Sequence, residues 1–247
     1  MATKTSICIV LILSSLQLAA QFKKGDRMVG ASVVSIFYNN TTADVTVGSA
    51  TTHSLTKNYN FSINPMYGWF VSDKVVVGAT LNINPTGQSV SYENNGNTYQ
   101  KDKTNGLNLG AGAFARSYFG NTGNFLPFGQ LALNGGVIQQ KTSGFYYGGT
   151  APANYKSTYD GESSSGSFVN ASALAGVTKK LSESVGLDIY LGYNYSSTKN
   201  NFHKTTQYDL GMDGSIDNEI ISETNSKYSS HGMLLGIGLQ IFLEGKK

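Results

Sequence analysis

The sequence predicts an all-β chain: an eight-stranded antiparallel up-and-down transmembrane β-barrel. Three observations lead there. Apolar residues recur at every second position, the period of a strand with two different faces. The connections between these segments alternate between short turns and long polar stretches, as in barrels with periplasmic turns and extracellular loops. Of the 247 residues only 13% are charged, while 29 are glycine, 15 tyrosine and 12 phenylalanine. A wall that faces lipid and turns often needs few charges and many aromatic and small residues.

The first element is expected to be removed. Lys4 supplies a positive start, Ile7 to Leu13 is a short apolar run containing Cys8, and Leu18-Ala19-Ala20 leads to a cut before Gln21. This is the layout of a secretory signal over residues 1–20, followed by a barrel over 21–247. The apolar run is too short to cross a bilayer as a helix, and nothing after Gln21 approaches the required ~18 consecutive apolar residues. Cys8 is the only cysteine, so a disulfide-stapled fold, a thiolate nucleophile and cysteine metal ligands are all excluded from the mature chain. The formal charge of +3, lowered by one when Lys4 is lost, is too small to imply nucleic acid as a partner.

Eight segments then follow in order, at roughly 28–38, 57–71, 74–84, 106–119, 125–140, 167–181, 185–196 and 231–243. In the second, Tyr59, Phe61, Ile63, Pro65, Tyr67, Trp69 and Val71 alternate with Asn58, Asn60, Ser62, Asn64, Met66, Gly68 and Phe70. In the seventh, Val185, Leu187, Ile189, Leu191, Tyr193 and Tyr195 alternate with smaller or polar residues. In the last, Met233, Leu235, Ile237, Leu239, Ile241 and Leu243 form the apolar face. Short turns are expected at 72–73, 120–124 and 182–184, and long loops at about 39–56, 85–105, 141–166 and 197–230. Because a spanning sheet has no water to satisfy its backbone, it must close on itself. The apolar face then points outward, and small neutral residues fill a narrow lumen. Pro65 and Pro127 fall inside strands and each removes a ladder donor, which cuts against the strand reading unless bulges near the rim accommodate them.

Asn64-Pro65-Met66-Tyr67-Gly68-Trp69-Phe70-Val71-Ser72-Asp73-Lys74, running into Val75 to Gly78, resembles a strand, tight turn and strand of the small outer-membrane protein β-barrel domain family of Gram-negative bacteria. Leu126-Pro127-Phe128 to Gly136 is similar to that family's fifth strand, and Leu235 to Phe242 to its last. The resemblance covers nearly all of the mature chain and implies architecture rather than activity, since the family shares no catalytic residues. Members usually end on an aromatic residue; here Phe242 is followed by Leu243-Glu244-Gly245-Lys246-Lys247.

Several constellations have chemical potential. Tyr67, Trp69, Tyr118 and Phe125 near the short turns, and Phe37, Tyr59, Phe61, Tyr193 and Tyr195 near the long loops, are expected to form two interfacial aromatic girdles. Arg116 and Asp188 are rare charges on lumen-facing positions, and each needs a partner there, which predicts a lumenal ion pair. Asp209, Asp213 and Asp217 stand at spacings that a calcium loop uses, although Gly211 and Ile220 occupy two positions where oxygen ligands belong. Gly110-Ala111-Gly112-Ala113-Phe114-Ala115 matches a loose dinucleotide fingerprint, but strand alternation runs through it where a helix is needed. His53, His203 and His231 have no ligand spacing between them; with loop serines, His231 is the one candidate base for lipid hydrolysis.

No cofactor is expected. The expected function is a non-enzymatic outer-membrane barrel with a structural or surface-interaction role through long extracellular loops, both mature termini being periplasmic. The alternatives are a narrow porin-like channel, an outer-membrane lipid hydrolase and a soluble lipocalin-like carrier. The expected partners are outer-membrane lipid, the barrel-assembly machinery and an unidentified surface ligand, with the chain itself monomeric.

Overall fold

The computed structural model describes residues 22–47, 50–94, 96–120, 123–148 and 155–245. The expected signal at 1–20, Cys8 included, lies outside the described residues, as does the side chain of Phe37. Eight strands follow in order: β1 (Arg27–Val47), β2 (Ala50–Ser72), β3 (Val75–Asn94), β4 (Asn97–Tyr118), β5 (Phe125–Gly148), β6 (Tyr155–Lys180), β7 (Val185–Asp209) and β8 (Asn218–Leu243). Each pairs antiparallel with the next, and β8 pairs back onto β1, so the sheet closes as an up-and-down barrel.

The strands are much longer than the apolar alternation suggests. They run for 20 to 26 residues, where ~9–11 suffice to span a bilayer. Most of what reads as long polar loop is therefore paired backbone. Val47 faces Ala50, and Asn94 faces Asn97, so in these two hairpins strand pairing continues to within two residues across the tip. Beyond the apolar band the alternation of apolar side chains stops, although hydrogen bonding continues.

The seam between β1 and β8 is the exception. It runs from Arg27↔Leu243 to Val33↔Ile237, roughly 20 Å at a strand rise of ~3.3 Å per residue. Among the described residues, β1 above this point pairs with β2 alone and β8 with β7 alone. The ring is thus tightly closed at the short-turn end and parted at the hairpin end.

Neither proline marks a bulge. Register shifts fall at Val33/Ser35, Phe70/Ser72, Tyr92/Glu93, Val137/Lys141 and Ser163/Ser165. Pro65 faces Ala31 in register, and the β2·β3 pairing skips from Ile63↔Ile83 to Met66↔Thr80 on the other side, where the missing N–H would have bonded. Pro127 lies at the start of β5, and its carbonyl accepts a hydrogen bond from Phe119 N at 2.8 Å, just past the end of β4.

The faces divide as the period of two requires. Outside, Leu131, Leu133, Ile189, Leu191, Leu235 and Ile237 stand about half exposed or more. Inside, the short-turn half is a hydrophobic core of Met28, Phe70, Val76, Leu126, Phe128 and Phe242, all buried. The expected small neutral filling is found only higher up. This lower core resembles that of a soluble protein because large inward side chains are the means of filling a ring at its narrow, fully closed end.

Candidate functional site in the lumen

Phe22 seals the floor. The segment before β1 folds under the barrel, with Gly25 N bonded to Phe70 O at 2.9 Å and Asp26 Oδ1 accepting from Gly245 N at 3.0 Å. Gly25 turns at φ +98°, a conformation that glycine adopts without strain. Phe22 then stacks on Phe70 with ring centroids 4.4 Å apart, and lies 4.7 Å from Phe242 and 5.2 Å from Tyr118. No periodicity marks Phe22, because it precedes the first strand.

Tyr118 belongs to this plug rather than to a girdle. It is 3% exposed. Alternation decides the matter: Phe114, Arg116 and Tyr118 share one face of β4, so an inward arginine brings the tyrosine inward with it. The other girdle residues stand as follows. Trp69 is outward and meets Tyr67 edge-on at 4.7 Å, and Phe125 is outward at the same end. Tyr59, Phe61, Tyr193 and Tyr195 are exposed toward the hairpin end.

Directly above the aromatic plug lies a polar layer. Arg116 Nη1 is 2.7 Å from Asp188 Oδ2, and both side chains are 1% exposed. The remaining capacity of each is nearly filled. Arg116 Nε donates to Gln130 Oε1 at 2.8 Å, its Nη1 lies 3.2 Å from the Tyr118 hydroxyl, and its guanidinium sits 4.0 Å over the Phe128 ring. Asp188 accepts from Thr178 Oγ1 at 2.6 Å and from Gln240 Nε2 at 3.0 Å. Two charges out of water need such a shell to offset their lost hydration. Thr178, Gln130 and Gln240 escape a reading of the sequence, because neutral polar residues on a lumenal face are individually unremarkable.

Above this layer the lumen opens into a cup of about 610 Å³ lined mainly by asparagine, serine and threonine, with Met66, Ile138, Phe168, Leu174 and Leu234 among the lining residues. Asn82 Nδ2 donates to Asn64 Oδ1 across it at 2.8 Å. The recurrence of asparagine at alternate positions, Asn58, Asn60 and Asn64 for example, is the signal of this lining in the sequence.

The β7–β8 tip uses its carboxylates on itself. Asp209 accepts from the backbone N–H groups of Asp213 (3.2 Å) and Gly214 (3.0 Å), and Asp217 from Leu210 N at 2.6 Å. Asp213 accepts from Ser215 N at 2.8 Å, and that backbone bond holds its carboxyl below the usual value. Among the described residues no group of three or more His, Cys, Asp or Glu is arranged to hold a metal. The glycine-rich Gly110 to Ala115 stretch runs within β4. His53 is bonded to Asp44, His203 Nδ1 lies 3.5 Å from Glu223 Oε1, and His231 faces Tyr195 and stacks on Tyr193 at 6.0 Å.

Among the hairpins, Tyr159 donates a short hydrogen bond to Asp102, while Lys204 Nζ sits 3.8 Å over its ring. Burial, and then the Asp102 carboxylate, push this phenol above its ordinary value of 10. A raised folded-state value means that its contribution to stability is complete below about pH 10 and is lost as pH climbs through the raised value. In a tyrosinate absorbance titration, Asp102→Asn should move one late component to lower pH. An unchanged curve would show that the carboxylate does not act on this ring.

No protein-family model matches the chain, and no curated protein matches it. Among solved structures, the outer membrane protein OprG from Pseudomonas aeruginosa is similar at 14% identity, covering 90% of this chain and 99% of that one, with a TM-score of 0.36. The N-terminal β-barrel domain of Pseudomonas aeruginosa OprF is similar at 13% identity, covering 89% and 98%, with a TM-score of 0.31. Neisserial surface protein A is similar at 15% identity, covering 88% and 96%, with a TM-score of 0.32. On its own strand register, the chain is a closed eight-stranded antiparallel up-and-down β-barrel, the architecture of the small outer-membrane barrels.

Proposed function

We propose that this protein is a non-enzymatic outer-membrane barrel, sealed at its periplasmic end, that acts at the cell surface through its protruding hairpins and the cup between them. The observation that carries this reading is the inversion of its two faces. Exposed leucine, isoleucine and valine girdle the outside, while the only buried arginine and aspartate among the described residues lie at the centre. Monomeric soluble proteins seldom expose an apolar surface that extends around a whole molecule, and a lipocalin-like carrier would turn that face inward. The ring closes where β1 meets β8 from Arg27↔Leu243 to Val33↔Ile237, which pairs the backbone over the lower part of the apolar band. With three short connections at the sealed end, the termini fall on the periplasmic side and the hairpins outside.

The plug argues against conduction. Arg116, Phe70, Phe128, Met28, Gln240, Val76, Thr178 and Asp188, one or more from each strand, are each less than 2% exposed. In this reading, a layer filled from all eight strands closes the lumen to ions. A hydrolase based on His231 lacks its orienting acid on the β7 side: the facing residue is Tyr195, and the diagonal ones are Tyr193 and Ser197. The test is gel migration of the detergent-extracted outer-membrane fraction, boiled against unboiled, with planar-bilayer recording of the purified protein. A band in that fraction that shifts on boiling, with no stable conductance, is the expected result. A periplasmic, unshifted protein would overturn the membrane reading, and steady channels would overturn the sealed one.

A further inference from the structure

The cup has hydrogen-bonding walls and no charge. Eight asparagines line its 610 Å³, and its only ionisable side chains are His231 and the Tyr190 phenol. The volume lies within the ~300–1,000 Å³ usual for small-molecule sites. Asn134 faces Asn170 across β5 and β6, while Asn84 faces Asn108 across β3 and β4, so amides line the cup from two separate pairs of strands. Phe168, the next inward residue above Asn170, adds an aromatic surface. Its ring lies over Gly110, whose Cβ, if it had one, would stand 2.6 Å from Cζ; glycine there leaves room for the ring.

This chemistry selects a ligand class. A carboxamide offers two donors and an acceptor without charge. A charged molecule entering the cup would give up hydration and meet no counter-charge. An apolar one would strip water from the amides and return no hydrogen bonds, leaving buried groups unpaired. A molecule dense in hydroxyls satisfies both constraints, since each hydroxyl donates and accepts, and the C–H face of a sugar ring covers an aromatic surface. We propose that the cup binds an uncharged saccharide arriving from the hairpin side, with the asparagine amides that line it, Asn84 and Asn170 among them, hydrogen-bonding its hydroxyls and Phe168 supporting its apolar face. The inference rests on the reading of the lumen as a cup sealed at its floor.

The experiment is saturation-transfer NMR on the intact barrel in an amine-oxide detergent, whose headgroup carries no sugar. The probes are glucose, galactose, mannose, N-acetylglucosamine and their common disaccharides, with glucuronate and glucosamine as charged counterparts. At least one neutral sugar should receive transfer, and its charged counterpart should bind at least about tenfold more weakly. Asn170→Leu and Asn84→Leu, on different walls, should each weaken it about tenfold, in protein that still shifts on boiling. No transfer to any neutral sugar would overturn the proposal, as would equal binding of the charged ones or undiminished transfer in both variants. The boiling shift separates these failures from failure of the barrel reading, because it is scored without any sugar.

Discussion

Replacing Leu131 by arginine is expected to destabilise the barrel by ~2–4 kcal/mol, the cost of a cation at the middle of an apolar band. Leu131 is 64% exposed and lies midway along β5 between Phe125 and Val137, both outward. Val71→Arg, at the edge of the same band beside the β2–β3 turn, should cost only ~0–1 kcal/mol. The comparison is made by urea titration of protein folded into phospholipid vesicles. In water, an arginine at either exposed site would change stability by about 0.5 kcal/mol or less. Equal and small effects at the two positions would therefore remove the lipid from the argument altogether. A graded cost places the band in the bilayer and orients the molecule within it.

The second large effect concerns the lumenal charges. Asp188→Ala leaves Arg116 fully buried with its 2.7 Å partner gone, and removing one member of a buried pair costs ~3–5 kcal/mol. Arg116→Met should cost a similar amount, because Asp188 then keeps only Thr178 and Gln240 as donors. Together, Arg116→Met and Asp188→Leu should cost less than the single changes added, since neither charge is left alone. A denaturant-based double-mutant cycle reads this directly. Additive or sub-kilocalorie single effects would show that water reaches the pair and that the layer is not dry. The same variants test the seal, because opening the polar layer is the one change at this level that could admit ions to the plug below it.

Much of this was legible in the residues because a closed sheet with two unlike faces imposes strict alternation. Residues Tyr59 to Val71 and Met233 to Leu243 assign their own faces: a slip of one position would turn the whole outward apolar set into the lumen. Arg116 and Asp188, 72 positions apart, are matched by the same parity together with the cost of an unpaired buried charge. Tyr118 was misplaced by residue type, since tyrosine suits a bilayer interface; its parity with Arg116 is the stronger constraint. The strand ends were not legible, because Thr51 to Thr56 or Ser222 to Ser230 carry no apolar face to count and pair only through backbone groups. Whether the prolines mark bulges was not legible either. One missing donor was absorbed as a gap on a single side of the ladder, without a change of register.

The sequence by itself determined the strand number, the antiparallel order and the outward apolar face, since all three follow from a local period of two and from turn spacing. Only the tertiary structure decided what fills the ring. Phe22 folding beneath the barrel, the aromatic floor, the shell around Arg116 and Asp188, and the amide cup all depend on which inward residues of eight different strands share a level. That is set by the stagger of neighbouring strands around the closed ring, a long-range quantity that no local pattern encodes.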